Sequence, residues 1–187
     1  MTDVALGVRR AALGVRVLAV VLGAVLVALA AQVSIPLPGT PVPMTLQPMA
    51  VLLVGGLLGA RLGALSMILY LAMGAAGLPV FTPTVPLVGV ARLFGPTGGY
   101  LLAYPVAAWA VGTVVREGSS EWRVACGVLA GLVLIHLGGL AQLAILTGSI
   151  SGAARLATWP FLLGDLLKLV ILVPVLTRLT PTIRARL

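Results

Sequence analysis

Long apolar runs separated by short polar or proline-rich breaks dominate the hydrophobic pattern of this chain. The runs occupy residues 17–33, 45–60, 62–76, 98–115, 124–146 and 159–177. A helix needs roughly 20 apolar residues to cross a bilayer, so this pattern predicts six membrane-spanning helices.

The second and third runs are short for full crossings and are divided only by Arg61. They are compatible with two spans or with a re-entrant hairpin. Gly55, Gly59 and Gly63 form a ladder of small residues that lets helix backbones approach closely. The ladder favours two crossings with a tight turn at Arg61.

Composition supports a membrane protein and excludes two other classes. Of the 187 residues, 60% are hydrophobic and 9% are charged, and the mean hydropathy is +1.19. A soluble domain carries about 25% charged residues. The net charge of +8 has no cluster of cations interleaved with aromatic residues, so it does not indicate nucleic-acid binding. We expect an all-α integral membrane protein with one transmembrane domain over residues 1–187.

Two breaks in the pattern are rich in proline and predict loops outside the hydrocarbon. Residues 34–48 hold five prolines and residues 77–97 hold four, too many helix breaks for lipid-exposed backbone. The remaining breaks are the polar stretch 116–123 and the small-residue stretch 147–158, which is predicted to be a loop.

The distribution of arginine predicts the orientation of the bundle, because short loops that hold Lys or Arg stay cytoplasmic. With both termini inside, the outer face holds only Arg92 and Arg155, and both proline-rich loops lie outside. The inner face then holds nine cations: Arg9, Arg10, Arg16, Arg61, Arg116, Arg123, Arg178, Arg184 and Arg186.

The first run carries two further patterns. Ala28-Leu29-Ala30 resembles a signal-peptidase site, but because everything downstream is also membrane-like, we expect the first span to be retained. Ala24 and Ala28 lie one helical turn apart and form a ridge on which another membrane helix can dock.

Asp165 and Lys168 are the two charged residues within a predicted span. Three positions apart on a helix, they lie on one face about 4.5 Å apart along the axis. A charge at the centre of a span costs roughly 2.5 to 3.5 kcal/mol, so it needs a partner, a watery cavity or a function. The pair is either a structural lock or the lining of a solute pocket, and its place below two outer loops favours the pocket.

The other residues and motifs considered as catalytic or binding sites give weaker indications of a function. The single histidine, His136, lies within a span, where an imidazole usually makes a packing hydrogen bond. Residues 148–152 match G-x-S-x-G but lack the strand-turn-helix context of a hydrolase. The glycine-rich stretch 95–99 lacks the G-K-[ST] ending of an ATP-binding loop. The single cysteine, Cys126, allows no internal disulfide or cysteine metal cluster.

Five ordered motifs resemble the BioY family, the biotin-specific substrate-binding (S) components of energy-coupling factor transporters. They are VPMTLQ at 42–47, LLG at 57–59, Tyr70 followed by GLPVF at 77–81, GPTGGYL at 95–101, and GDLLK at 164–168. The most distinctive positions are Gln47 and the run 95–100.

The resemblance implies a six-helix protein of the cytoplasmic membrane that captures biotin from outside. It implies a transmembrane coupling protein and two cytoplasmic ATPases as partners, and no cofactor in this chain. The family's aspartate and lysine ligands fall on Asp165 and Lys168. Phe81, Tyr70 and Tyr100 are candidate walls for the apolar part of biotin. The alanines Ala24 and Ala28 fall where S components present small residues to the coupling protein.

One segment departs from the family. Members of the family carry a glycine-rich, amide-containing stretch after the Pro-Val-Phe motif. In this chain, residues 82–86 have the sequence TPTVP instead, and the chain has no asparagine. Thr82 or Thr84 is a candidate for the missing hydrogen bond, and Arg92 is a candidate for the biotin carboxylate.

Two other functions remain open at this point. A self-sufficient oligomeric carrier would take up biotin in a host without any coupling protein. An intramembrane enzyme, using Asp165, Lys168 or a pair of Ser151 and His136, would turn over a substrate. We expect a binding subunit and not an enzyme.

Overall fold

The computed structural model describes the backbone of residues 2–187 and the side chains of residues 13–187. The regular secondary structure of this part of the chain is helical except for one short ladder of two strands. The elements in order are α1 (Thr2–Gln32), β1 (Ser34–Ile35), β2 (Met44–Thr45), α2 (Gln47–Ala75), α3 (Ala91–Phe94), α4 (Gly98–Val114), α5 (Glu121–Thr147), α6 (Ile150–Ala157), a 3-10 turn (Trp159–Phe161) and α7 (Leu162–Arg184). The strands β1 and β2 are antiparallel and pair within the first proline-rich loop.

A chain reversal at Gly59 divides α2 into two halves. Gly59 has φ 81° and ψ 174°, a backbone conformation that favours glycine. A Cβ atom on Gly63 would lie 2.8 Å from the Cα atom of Gly55, whereas eight residues of a straight helix rise about 12 Å. Residues 47–58 and 60–75 therefore fold back on each other through the glycine ladder. The predicted tight turn is confirmed, but it lies at Gly59, two residues before the predicted position at Arg61.

With α2 counted as two halves, the described chain has six long helices. Four stretches are long and apolar enough to cross a membrane, and α4 is a shorter apolar helix. The four stretches are Leu13–Gln32, Gln47–Ala75, Glu121–Thr147 and Ile150–Arg184. The all-helical membrane architecture agrees with the six predicted runs.

Small residues set the distances between neighbouring helices. A Cβ atom on Gly99 of α4 would lie 2.1 Å from the carbonyl oxygen of Gly138 in α5. In the same way, a Cβ atom on Gly55 would lie 2.5 Å from the carbonyl oxygen of Ala108. Backbones in α2, α4 and α5 therefore touch directly, as expected for membrane helices that associate by close packing.

One end of the bundle gathers the basic residues predicted to lie inside. Arg16 Nε donates to the Leu187 carbonyl at 2.8 Å, and Arg123 Nε donates to the Val114 carbonyl at 2.8 Å. Arg184 donates hydrogen bonds to backbone carbonyls beside the chain reversal in α2. Arg9 and Arg10 lie outside the described side chains.

The opposite end holds the proline-rich loops together with Arg92 and Arg155. Thr40 Oγ1 in the first loop donates to the Leu156 carbonyl of α6 at 2.8 Å. The predicted separation of the cations between two ends is therefore reproduced by the fold for the described residues.

The prediction of a loop at 147–158 is wrong, because this stretch contains α6. Ser149 begins the helix, and its hydroxyl accepts from the Gly152 amide at 3.1 Å. The serine satisfies an amide that a helix start leaves unpaired. The following helix α7 starts at Leu162 and extends past the predicted end at 177 to Arg184.

Arg184 closes the end of the bundle at the α2 reversal, and we expect Arg184→Met to destabilise the fold. Its Nη2 donates to the Gly56 carbonyl at 2.7 Å and to the Gly112 carbonyl at 3.4 Å. Losing these bonds to helix-terminal carbonyls should cost about 1 to 2 kcal/mol. Thermal unfolding in detergent measures the effect.

The matched control is Arg178→Met, which removes an exposed arginine from the same helix. It should change stability by less than about 0.5 kcal/mol. Equal losses in the two variants would contradict a specific role for Arg184.

Candidate functional site

A cavity lies between the helices at the end that holds the proline-rich loops. Side chains from both loops and from α4, α5 and α7 form its wall. The lining residues are Val42, Pro43, Thr45, Gln47, Pro48, Thr82, Arg92, Thr97, Tyr100, Leu101, Tyr104, Leu132, Ile135, His136, Phe161, Asp165 and Lys168. Nine of these 17 residues are apolar or aromatic and eight are polar or charged, so the cavity combines an apolar wall with hydrogen-bonding groups, as small-molecule sites do.

Asp165 and Lys168 form a buried ion pair in this wall. Lys168 Nζ donates to Asp165 Oδ1 at 2.8 Å, and the side chains are 8% and 11% exposed, respectively. Both residues line the cavity. The pair is therefore neither turned to the lipid nor sealed away from space that a solute can enter.

His136 of α5 makes the second contact to the same carboxylate. Its Nε2 lies 2.5 Å from Asp165 Oδ2, and its Nδ1 lies 3.2 Å from the Ala157 carbonyl oxygen. This contact was not predicted from the sequence, because Asp165 is 29 residues away. The residue has the packing role expected of a lone histidine, and it also borders the cavity.

Arg92 organises the outer loop from within. Its Nη1 donates to the Val85 carbonyl at 2.5 Å and to the Leu87 carbonyl at 3.2 Å, and its Nη2 donates to the Thr82 carbonyl at 2.7 Å. Burial lowers the pKa of Arg92 below its ordinary value. The buried guanidinium of Arg92 thus binds three backbone carbonyls of the second proline-rich loop.

Two buried polar atoms on the cavity wall have no hydrogen-bond partner in the described part of the chain. They are Arg92 Nε and Thr97 Oγ1. Buried polar groups are normally paired. Both atoms can donate, so this part of the wall suits a ligand acceptor such as a carboxylate.

The two candidate threonines lie in different surroundings. Thr82 is buried and lines the cavity, whereas Thr84 is exposed and lies outside its lining. Their hydroxyls are 3.3 Å apart. Thr84 therefore supports Thr82 and is not itself placed to face a ligand in the cavity.

Tyr70 and Phe81, predicted as walls, stand behind the cavity lining. Their rings pack edge to face at a centroid distance of 5.5 Å. Tyr70 Oη accepts a hydrogen bond from Gln47 Nε2 and donates to the Val80 carbonyl at 3.3 Å. Of this set, Gln47 lines the cavity, and the tyrosine orients its amide.

The remaining walls come from α4, α5 and the 3-10 turn. Tyr100 lines the cavity as predicted, and its hydroxyl donates to the Ala157 carbonyl at 2.6 Å. Tyr104 and Ile135 also line the cavity and were not predicted. Tyr104 is one helical turn from Tyr100, and that spacing was the available signal.

The small residues of α1 are less accessible than expected for a docking ridge. Ala24 is fully buried against the rest of this chain, and Ala28 is half-buried. Ala24 therefore cannot present its side chain to another protein in this arrangement, because α1 packs that face onto α2. Docking at Ala28 stays a prediction.

The arrangement can bind a small, largely apolar solute that carries both donors and acceptors. Asp165 accepts hydrogen bonds, while Lys168, Thr97 and Arg92 donate them. Within the described residues, no group of three or more His, Cys, Asp or Glu side chains is placed to hold a metal ion.

Comparison with known proteins gives the same set of relatives by sequence and by fold. The model of the BioY family matches residues 5–185. The chain is 38% identical to the probable biotin transporter BioY of Pyrococcus horikoshii over 143 residues, which cover 76% of this chain and 82% of that protein. It is 38% identical to the biotin transporter BioY of Thermotoga maritima over 155 residues, or 82% of this chain and 89% of that protein.

A solved structure has a similar fold. It is the crystal structure of the S-component for biotin from an ECF-type ABC transporter. The match has a TM-score of 0.79 and 25% identity, and it covers 88% of this chain and 89% of the other.

Proposed function

This chain belongs to the BioY family, and from that premise we propose that it is the biotin-binding S component of an energy-coupling factor transporter. The observation that carries the proposal is the buried Asp165–Lys168 pair, which opens onto a cavity beneath the two proline-rich loops. The proposal also rests on the sequence resemblance, which implies that the family's two charged ligands correspond to these positions.

The polar chemistry of biotin matches the two polar parts of the wall. Its ureido ring carries two N–H donors and one carbonyl acceptor, which suit Asp165 and Lys168, respectively. Its valerate carboxylate suits Arg92 Nε and the Thr97 hydroxyl, which are buried and otherwise unpaired among the described residues. We assign the ureido ring to the α7 side and the carboxylate to the outer-loop side.

The apolar part of biotin lies, in this proposal, against the aromatic and aliphatic wall. Tyr100, Tyr104 and Phe161 supply rings, and Ile135 and Leu132 supply aliphatic surface. Thr82 and Gln47 stand at the edge of this wall as further hydrogen-bonding groups. Tyr70 and Phe81 act behind it by fixing Gln47 and the second loop.

The proposed topology has six membrane-spanning segments and both termini in the cytoplasm. The arginines gathered near the ends of α1, α4 and α7 stay inside by the positive-inside rule. The loops over the cavity then face outward, where biotin arrives. In this orientation, the proposed high-affinity site captures biotin from the outside, and release inside requires the partner proteins.

The proposed partners supply the energy. In this proposal, a transmembrane coupling protein and two cytoplasmic ATPases reorient the S component. The glycine-rich stretch 95–99 of this chain lacks the ending of an ATP-binding loop. α1 packs mainly on α2 and leaves Leu18, Leu22 and Leu29 exposed. This free face next to Ala28 is the place we propose for the coupling protein.

Calorimetric titration of the purified chain with biotin, riboflavin and thiamine tests the function. We expect one-to-one binding of biotin and no heat from the other two vitamins. Binding of riboflavin or thiamine in place of biotin would contradict the substrate assignment. Turnover of biotin by the isolated chain would indicate an enzyme instead.

A further inference from the structure

His136 lies between two groups that can only accept hydrogen bonds. On one side is the carbonyl oxygen of Ala157, 3.2 Å from Nδ1, and on the other is Asp165 Oδ2, 2.5 Å from Nε2. A neutral imidazole has one N–H and one lone pair. In a neutral ring, one of these two contacts would therefore place two lone pairs against each other, unless the carboxyl carries the proton.

A proton on Asp165 is disfavoured by the other contact of its carboxylate. Lys168 Nζ lies 2.8 Å from Oδ1, and a nearby cation stabilises the ionised carboxylate. An imidazolium with both ring protons donates to Asp165 and to Ala157 at once. It satisfies every contact that the ring makes.

The ring is also held in place by its neighbours. Tyr100 packs edge to face against it at a centroid distance of 6.2 Å, and Phe161 lies at the same distance. The charged and titratable groups around it are Asp165 and Lys168 of α7 and Tyr100 of α4, while Arg155, the charged residue of α6, is exposed. Arg92 is the further cation on the cavity wall.

We propose that His136 is a positioning residue that carries both ring protons and clamps the Asp165 carboxylate against Lys168 in the orientation that receives biotin. This inference rests on the proposed function. Each carboxylate oxygen has about two acceptor positions. His136 and Lys168 each use one and fix the plane of the group, so the remaining acceptor positions point in set directions.

The test uses the full chain in detergent, and the single histidine makes it selective. Nitrogen-15 labelling of histidine gives signals from one imidazole, and we expect both nitrogens to carry protons at neutral pH. A proton missing from either ring nitrogen would overturn the proposal. This measurement needs no variant, so a folding defect cannot obscure it.

A pair of variants separates a donor from simple packing. His136→Gln keeps an uncharged donor for Asp165, whereas His136→Leu fills the space without a donor and should bind biotin at least about tenfold more weakly than His136→Gln. Equal affinity in the two variants would show that the ring only packs. If the unmodified chain bound no biotin, the proposed function itself would be wrong.

Discussion

Asp165→Asn should lower the affinity for biotin by at least about 2 kcal/mol, or roughly 30-fold. The amide keeps the shape of the carboxylate but removes the charge that holds Lys168 Nζ at 2.8 Å. The variant would leave Lys168 as an uncompensated cation in a buried wall, and it would replace one acceptor oxygen for the ureido N–H with a donor. Calorimetry in detergent measures the loss.

Lys168→Met should lower the affinity for biotin by a comparable amount, because it removes the other partner of the ion pair. The thioether has nearly the length of the lysine stem, but it cannot donate to Asp165 or to the ureido oxygen. Truncating one partner of a buried charged pair costs much because the other charge stays buried and unpaired. The pair then fails to hold biotin even though the cavity keeps its size.

The control for both variants is Glu121→Gln, which neutralises an exposed acid at the start of α5. It should leave biotin affinity unchanged. Unchanged affinity in Asp165→Asn and in Lys168→Met would reject the cavity assignment, whether or not the chain binds biotin. A loss in the control as large as in Asp165→Asn would indicate a general charge effect.

Gly99→Ala should destabilise the bundle by about 1 to 3 kcal/mol, the usual cost of overpacking a close contact. The new Cβ atom would lie 2.1 Å from the Gly138 carbonyl oxygen, a backbone atom that cannot turn aside. α4 and α5 must then move apart beside Thr97 and Tyr100. Biotin affinity should fall together with the temperature of thermal unfolding.

Gly14→Ala is the matched control, since no other group lies within 4 Å of a Cβ atom at this exposed helical position. Alanine favours a helix over glycine by up to about 1 kcal/mol, so this variant should be neutral or slightly stabilising. If Gly99→Ala were as stable as Gly14→Ala, the close approach of α4 and α5 would not hold.

The hydrophobic pattern predicted most of the helical framework, because a bilayer requires long apolar segments. The glycine ladder predicted the reversal in α2, and the structure puts it at Gly59. α6 was missed because its small residues read as a loop. Its helix depends on the Ser149 cap and on contacts with α5, neither of which appears as a long apolar run.

Within the candidate site, the local sequence was informative where the chemistry lies on one helix. Asp165 and Lys168 are three residues apart, so their pairing follows from helical geometry alone. The same reasoning could not rank Tyr70, Phe81 and Tyr100, since they lie on three separate segments of the chain. Only the packing of α2 against the second loop places Tyr70 and Phe81 behind the cavity wall and Tyr100 on it.

The sequence by itself determined that the chain is a helical membrane protein, which residues form its buried ion pair and which family it resembles. These features follow from the spacing of residues along a helix, from the apolar composition and from short sequence motifs, all of which are local along the chain. The tertiary structure alone decided that His136 meets Asp165 across 29 residues, that Arg92 gathers the carbonyls of the outer loop, and that Ala24 is buried. Such contacts join separate helices and loops, and they depend on how closely small residues let those helices approach.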